Sequence, residues 1–189
     1  MSLMALLISS ILVENIILTK FLGLCSFLGV SNQEQGALGM GICVTLVMLL
    51  ANILCFFLYH YLLLPYDIEY LRTITFILII ASLVQLTEMI IRKYFPKIQA
   101  LLGIYLPLIA TNCAILGAVL LTAANNYTFT QTLVFTLGSG LGYSLVLYIF
   151  SSIREKLNIN PILKGFQGTP IALITAGIMS MIFGRFIGG

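Results

Sequence analysis

Apolar residues form six long stretches along the chain, separated by short polar or proline-containing breaks. A helix that crosses a bilayer needs about 20 predominantly apolar residues. The pattern therefore predicts six transmembrane helices, at residues 3–30, 36–64, 71–92, 98–123, 129–152 and 169–187. Several stretches are longer than a straight crossing requires, so we expect some of these helices to be tilted or broken.

The composition agrees with this pattern. Hydrophobic residues make up 60% of the 189 residues and charged residues 8%, and the mean hydropathy is +1.12. Because soluble domains carry about 25% charged residues, this is the composition of an integral protein of the lipid bilayer. The net charge is only +3 and the chain has no basic run, so nothing in the sequence indicates nucleic acid as a partner.

The positions of the basic residues orient the predicted helices. Cytoplasmic loops of membrane proteins carry an excess of lysine and arginine. The breaks after the third and fifth stretches hold three basic residues each, whereas the opposite side of the membrane holds two. We therefore expect the loops after helices 1, 3 and 5 in the cytoplasm and both termini outside. The basic residues are Arg92, Lys93 and Lys97 in the third break, Arg154, Lys156 and Lys164 in the fifth, and Arg72 and Arg185 opposite them.

The two halves of the chain carry a related motif. C-S-F-L-G-V at 25–30 aligns with C-A-I-L-G-A at 113–118, at an offset of 88 residues. Three helices followed by three helices give the halves opposite orientations, as in the inverted repeats of many transport proteins. The sequence thus predicts an all-α integral membrane protein of six transmembrane helices in two inverted-topology three-helix repeats, at residues 1–95 and 96–189.

Both cysteine segments have the composition of interrupted helices. Gly23 and Gly29 flank Cys25 in helix 1, and Pro107 precedes Cys113 in helix 4. Proline removes a backbone donor and loosens a helix. In inverted repeats the functional site lies on helices that are interrupted at corresponding places. We therefore predict that helices 1 and 4 are broken and lie side by side.

The residues leave three interpretations of Cys25 and Cys113 open. The two cysteines pack as small hydrophobes, or they form a disulfide, or they bind a metal. Thiolates hold iron–sulfur clusters, usually four to a cluster. The metal interpretation therefore requires two more thiolates from another chain with a similar motif.

Other small residues are predicted to serve packing. Cys43 and Cys55 have no cysteine at the equivalent repeat position, where the offset of 88 gives Gln131 and Tyr143. The glycines of 138–142 form a G-x-x-x-G pattern, which lets helices approach closely in membranes.

Few ionisable residues lie within the apolar stretches, and each is by default a functional candidate. Glu14 has no clear partner and, together with Asn112, is a candidate for an ion pathway. Glu88 is instead spaced to pair with Arg92 on one helix face. The main alternative function is a secondary ion or solute transporter without a redox centre, with Asn15, Glu14 and Asn112 in its site. The sequence contains no phosphate loop, H-E-x-x-H motif or dinucleotide fingerprint.

Several motifs resemble the Rnf and Nqr membrane proteins, most closely the A subunits of Rnf electron-transport complexes. The similarity extends over nearly the whole chain and includes both cysteine segments. The E subunit of the sodium-translocating NADH:quinone reductase shares the same plan. One departure is Ser26, where many family members have proline. The motifs are K-F-L-G-L-C (20–25), E-Y-L-R-T (69–73), L-T-E-M-I-I-R-K (86–93), L-P-L-I-A-T-N-C-A-I-L-G (106–117), I-R-E-K-L (153–157) and A-L-I-T-A-G-I-M-S (172–180).

The resemblance implies a function in ion-coupled electron transport. Rnf complexes move electrons between reduced ferredoxin and NAD⁺ and couple this to Na⁺ or H⁺ translocation in the bacterial cytoplasmic (inner) membrane. The A subunit pairs there with the homologous E subunit of inverted orientation, alongside the B, C, D and G subunits. The pair shares one [2Fe–2S] cluster that relays electrons, and the motif match assigns Cys25 and Cys113 as its ligands in this chain. The chain would then be part of a translocase, without a flavin or nucleotide site of its own.

Overall fold

The computed structural model describes residues 3–13, 15–30, 34–63, 65, 69–94, 109, 112–159 and 168–187. All regular secondary structure within these residues is helical, as the apolar pattern predicts. Two π-helical segments continue helices α1 and α4, at Ser9–Val13 and Tyr59–Leu63, and a 3-10 turn at Glu69–Leu71 precedes α5. The helices are α1 (Leu3–Ile8), α2 (Ile16–Lys20), α3 (Leu24–Val30), α4 (Glu34–Leu58), α5 (Arg72–Tyr94), α6 (Cys113–Ala124), α7 (Phe129–Ile159) and α8 (Thr169–Ile187).

Three helices in the described part of the chain are long and apolar enough to cross a membrane. They lie at Gly36–Leu63, Arg72–Ile90 and Phe129–Leu157, and they overlap predicted helices 2, 3 and 5. Shorter apolar helices overlap predicted helices 1, 4 and 6, at Leu3–Leu12, Cys113–Ala124 and Thr169–Arg185. The first part of predicted helix 4, residues 98–108, lies outside the described residues. Large apolar side chains are exposed along α4, as expected beside lipid tails; they are Ile42, Leu46, Leu50, Leu54 and Phe57.

The first predicted helix is broken, as the sequence predicts, and it is broken twice. Asn15 caps α2 with its side chain, which accepts the N–H of Ile17 at 3.2 Å. Helix α2 is followed by Phe21, which has a left-handed φ of 53°, and by Gly23, with φ 89°. A left-handed residue ends a helix, and glycine adopts this conformation at the lowest cost. Because α3 begins at residue 24, Cys25 lies in the first turn of a new helix.

The centre of the fold is the crossing of α4 and α7, which is built on two matched pairs of small residues. A Cβ on Gly41 would lie 2.8 Å from Ser144 Oγ, and a Cβ on Gly140 would overlap Thr45. Thr45 and Ser144 each donate to the carbonyl four residues earlier, and their hydroxyl oxygens are 3.3 Å apart. Each helix therefore presents a glycine to the hydroxyl residue of the other, which permits close approach. The matched positions are 99 residues apart in sequence.

The G-x-x-x-G pattern of α7 packs against the first helix, which confirms its predicted role in helix packing. Ser10 Oγ occupies the space beside Gly138, where a Cβ would overlap it. A Cβ on Gly142 would lie 2.8 Å from the carbonyl oxygen of Ile11. The carbonyl of Gly142 accepts a hydrogen bond from Asn15 Nδ2 at 3.0 Å. These contacts fix the break at Asn15 against α7.

Arg154 corrects the predicted end of helix 5. The sequence predicts that the helix ends at residue 152 and that Arg154 is a cytoplasmic loop charge, but α7 continues to residue 159. The Arg154 side chain is only 7% exposed, and its Nη1 donates to the Leu28 carbonyl at 2.7 Å. The prediction that Arg154 lies in a loop is wrong, because arginine can extend its stem along apolar surface and place its guanidinium on a carbonyl near a helix end.

Candidate functional site

The two cysteine segments meet through one backbone donor. The N–H of Gly23 donates to Cys113 Sγ at 2.9 Å, across 90 residues of sequence. Gly23 and Cys25 are two residues apart, so chain geometry allows at most about 7 Å between their Cα atoms. The two cysteines predicted to form a site therefore lie in the same part of the fold.

Close packing on two glycines builds this contact. Leu22 Cδ1 occupies the space over Gly117, where a Cβ would overlap it. A Cβ on Gly23 would lie 3.1 Å from the Tyr143 ring and 3.4 Å from Asn112 Oδ1. Gly23 also has φ 89°, which other residues rarely adopt. A glycine is thus needed at position 23 both for the turn and for the approach of α6.

The two thiols differ in exposure. Cys25 is exposed in the first turn of α3, whereas Cys113, the first residue of α6, is half-buried. The other end of the seven-residue helix α3 is held by the hydrogen bond from Arg154 to Leu28. Because α3 is held at both ends, its exposed thiol has a defined position in the fold.

Asn112 lies directly before Cys113 and caps α6. Its Oδ1 accepts the N–H of Ala114 at 3.0 Å, and its own backbone is extended, with φ −72° and ψ 110°. The side chain is 2% exposed, and no described residue accepts a hydrogen bond from its Nδ2. The ion-pathway role of Asn112 stays a prediction beside this capping role. Its expected companion in that pathway, Glu14, lies outside the described residues.

The other two cysteines lie on α4. Cys55 is buried in the core and Cys43 is half-buried, in agreement with the packing role that the sequence predicts for both. All four cysteines are free. The disulfide that the sequence left open between Cys25 and Cys113 is therefore not present in this structure.

Two thiols are too few to hold a cluster alone. In the part of the chain that the structure describes, no group of three or more His, Cys, Asp or Glu side chains is placed to hold a metal ion. An iron–sulfur cluster usually takes four thiolates. The donor set fits half of such a site, because Cys113 Sγ accepts an N–H and Cys25 is open for coordination. A cluster of this kind at Cys25 and Cys113 would require two further thiolates.

The sequence indicates Gly23 only as a helix breaker and Arg154 only as a loop charge, so the roles of both in supporting this site are missed. In the structure Gly23 supplies the donor to Cys113, and Arg154 holds α3. A signal for Arg154 exists in I-R-E-K-L at 153–157, because these residues are mostly good helix formers that extend α7. No comparable signal exists for Gly23, since the contact depends on how distant helices pack.

Comparison with known proteins identifies the family. A model of the Rnf-Nqr family, described as "Rnf-Nqr subunit, membrane protein", matches residues 3–188. The A subunit of the ion-translocating oxidoreductase complex of Syntrophotalea carbinolica is 49% identical over 187 residues, covering 99% of this chain and 97% of that protein. The protein of the same name from Shewanella baltica is 50% identical, and that from Vibrio cholerae 48%, each covering 97% of this chain and 95% of the relative. The chain therefore belongs to the Rnf-Nqr family of membrane proteins.

Proposed function

We propose that this chain is a membrane component of an ion-translocating oxidoreductase complex and that Cys25 and Cys113 supply two of the four ligands of an intramembrane [2Fe–2S] cluster. The family and the names of the relatives support the oxidoreductase complex. The resemblance of the motifs to Rnf proteins supports the reaction, electron transfer between reduced ferredoxin and NAD⁺ coupled to Na⁺ or H⁺ translocation. The chain is then one part of an electron relay across the bacterial cytoplasmic membrane.

The observation that carries the proposal is the hydrogen bond from Gly23 to Cys113 Sγ. Thiolate, not thiol, is the form of cysteine that binds metals, and hydrogen bonds to a charged acceptor are stronger than those to a neutral one. The Gly23 N–H therefore lies where it can donate to the Cys113 sulfur when that sulfur is a metal ligand. Because the same donor lies two residues before Cys25, one turn positions both cysteines.

The other two ligands are proposed to come from a homologous protein of inverted orientation, the E subunit of the complex that the motifs resemble. Exposure of Cys25 supports this arrangement, because a thiol at a shared site lies on the surface of each separate chain. The count of donors supports it as well, since the described residues offer one cysteine pair at the contact between the turn before α3 and the start of α6.

We further propose that the chain forms six spans in two inverted repeats, residues 1–95 and 96–189, with both termini outside the cytoplasm. The crossing of α4 and α7 supports this, because a two-fold relation would exchange Gly41 with Gly140 and Thr45 with Ser144. The cysteines support it too, because each lies in the first turn of a helix that follows a non-helical residue.

A bound [2Fe–2S] cluster would supply one-electron transfer inside the membrane. The residues of this chain hold the site and shape it. The turn before α3 directs the Gly23 N–H at one ligand, Leu22 seals against Gly117, and the Tyr143 ring closes the space beside Gly23. These contacts would hold both ligands at helix ends, as a preorganised site requires.

Iron-edge anomalous scattering from crystals of the whole complex tests the proposal. We expect an iron peak within bonding distance of Cys25 Sγ and Cys113 Sγ of this chain and of two thiolates of a neighbouring protein. A complex that is active but carries no iron beside these two cysteines contradicts the proposal.

A further inference from the structure

Two asparagines cap helices at the breaks, and their side-chain amides are used differently. Asn15 caps α2 through Oδ1, and its Nδ2 donates to the carbonyls of Gly142 at 3.0 Å and Ile11 at 3.2 Å. Asn112 caps α6 through Oδ1 in the same way. Its Nδ2, however, donates to no described residue, although the side chain is only 2% exposed. An unpaired buried donor is unfavourable and uncommon in native structures, which leaves this one available to an acceptor outside the described residues.

The cap fixes the orientation of the Asn112 amide. Only the amide oxygen can accept the N–H of Ala114, so Nδ2 is the atom that faces away from the helix end. The amide lies against Gly23, where an added Cβ would lie 3.4 Å from Oδ1. The N–H of Gly23 donates to Cys113 Sγ. The unused donor therefore belongs to the residue directly before Cys113, and the used donor bonds the sulfur of that cysteine.

We propose that Asn112 Nδ2 donates a hydrogen bond to a sulfur atom of the cluster site at Cys113 and, with the Gly23 N–H, raises its reduction potential. This inference rests on the proposed function. Hydrogen bonds to the sulfurs are among the factors that set the potential of such a site, and outer-shell donors tune metal centres generally. Reduction adds negative charge to the sulfur that accepts these hydrogen bonds, which strengthens each of them. Because the hydrogen bonds stabilise the reduced state more than the oxidised state, they raise the reduction potential.

Asn112→Ser in the assembled complex tests this inference. Serine retains the N-cap and removes the amide donor. We expect the iron content and the intensity of the EPR signal to match the wild type, and the midpoint potential to fall. At a fixed ambient potential the reduced-to-oxidised ratio is expected to fall about tenfold, which for one electron corresponds to about 59 mV. An unchanged midpoint potential overturns the proposal.

Asn15→Ser is the matched control, because it changes the same residue type at a cap whose amide is satisfied by protein carbonyls. It is expected to leave the potential unchanged, and an equal shift in both variants overturns the proposal by assigning the effect to packing. If Asn112→Ser does not retain iron, Asn112→Thr replaces it, since threonine also caps helices and carries neither an amide nor a charge. Retained iron at a lower potential supports the proposal. Loss of iron in both variants would show that Asn112 is needed for the folding of α6. That result overturns the proposal.

Pulsed EPR detects the hydrogen bond itself. The reduced complex labelled with ¹⁵N-asparagine is expected to show a coupled nitrogen that is lost in Asn112→Ser and retained in Asn15→Ser. A spectrum without such a coupling contradicts the proposal. Failure of the proposed function is distinguishable, because the cluster signal would then survive in Cys25→Ala and Cys113→Ala complexes.

Discussion

Gly23 donates its backbone N–H to Cys113 Sγ at 2.9 Å, although 90 residues separate the two in sequence. The bond joins a turn in the first half of the chain to the first residue of a helix in the second half. The left-handed Gly23, the extended Asn112 and the free thiol of Cys113 are each local features of the chain. The hydrogen bond brings these three residues together at one place in the fold. Most of the expected effects of substitution follow from this relationship.

Gly23→Ala is expected to reduce the iron content of the complex. The added Cβ would lie 3.1 Å from the Tyr143 ring. In the native turn the alanine would also have the left-handed φ of 89°, which is strained for any residue with a Cβ. Strained backbone of this kind costs about 1 to 3 kcal/mol, so the turn relaxes and the N–H moves away from Cys113. Iron per assembled complex is the measurement.

The matched control for this substitution is Gly177→Ala on α8. A Cβ there meets nothing within 4 Å, and alanine is the better helix former by about 1 kcal/mol. Iron content is expected to stay at the wild-type value in the control. An iron content equal to the wild type in Gly23→Ala as well would contradict the role assigned to the turn.

Arg154→Met is expected to weaken the attachment of α3 and to lower the occupancy of the site at Cys25. Methionine fills a similar volume but leaves the Leu28 carbonyl without this donor. Loss of a hydrogen bond to a buried group costs about 1 to 3 kcal/mol. Iron content and the rate at which Cys25 is alkylated in the iron-free complex report the change. Lys156→Met on the exposed side of the same helix is the control, and equal effects of the two substitutions would refute the assignment.

The crossing of α4 and α7 predicts a specific disulfide. Thr45 Oγ1 and Ser144 Oγ are 3.3 Å apart, so Thr45→Cys combined with Ser144→Cys is expected to cross-link under mild oxidation. Leu46→Cys combined with Leu145→Cys is the control, because these neighbouring side chains are exposed. Mobility on a denaturing gel after protease cleavage between the helices measures the cross-link. Efficient cross-linking of the control pair, or none of the first pair, would show that the helices cross elsewhere.

The inverted repeat predicts opposite sides of the membrane for Lys93, near the end of α5, and Asn125, just after α6. Both are exposed, so Lys93→Cys and Asn125→Cys give accessible thiols. An impermeant thiol reagent is expected to label Lys93→Cys only in inside-out vesicles and Asn125→Cys only in right-side-out vesicles. The parent protein with its native cysteines gives the background. Labelling of both positions from one side would rule out the proposed topology.

The ends of the long helices follow closely from the sequence, because they are set by apolar runs. Predicted helices at 71–92 and 169–187 correspond to α5 at Arg72–Tyr94 and α8 at Thr169–Ile187. The break before Cys25 also follows from the sequence, because glycine there permits a left-handed residue. What is local in the chain, the apolar length and the glycine turn, is therefore predictable.

The register between the two halves does not follow from the cysteine motif. The motif gives an offset of 88, but the matched contacts of α4 and α7 lie 99 residues apart. Part of the difference arises because α3 has seven residues and α6 has twelve. Most of the remainder arises because Gly140 lies farther from the start of α7 than Gly41 lies from the start of α4. At the larger offset the positions equivalent to Cys43 and Cys55 are Gly142 and Arg154, rather than Gln131 and Tyr143 as the sequence predicts.

The capping roles of Asn15 and Asn112 are also beyond the sequence, which indicates both only as candidates for an ion or solute site. A cap depends on the residue at which the helix begins, and neither helix start is marked by the apolar pattern. The partner of Asn15, the Gly142 carbonyl, lies 127 residues away. Contacts between distant segments of this kind are determined by packing and become visible only in the fold.

The proposed role of Cys25 and Cys113 as cluster ligands is tested by substitution of each cysteine in turn. Iron content and the EPR spectrum of the reduced complex are measured for Cys25→Ala and Cys113→Ala, with Cys43→Ala and Cys55→Ala as controls on the other two cysteines. We expect one [2Fe–2S] signal to disappear in the first two variants, while the complex stays assembled, and to persist in the controls. A signal and an iron count that survive in Cys25→Ala and Cys113→Ala would contradict the ligand role and leave both cysteines as packing residues.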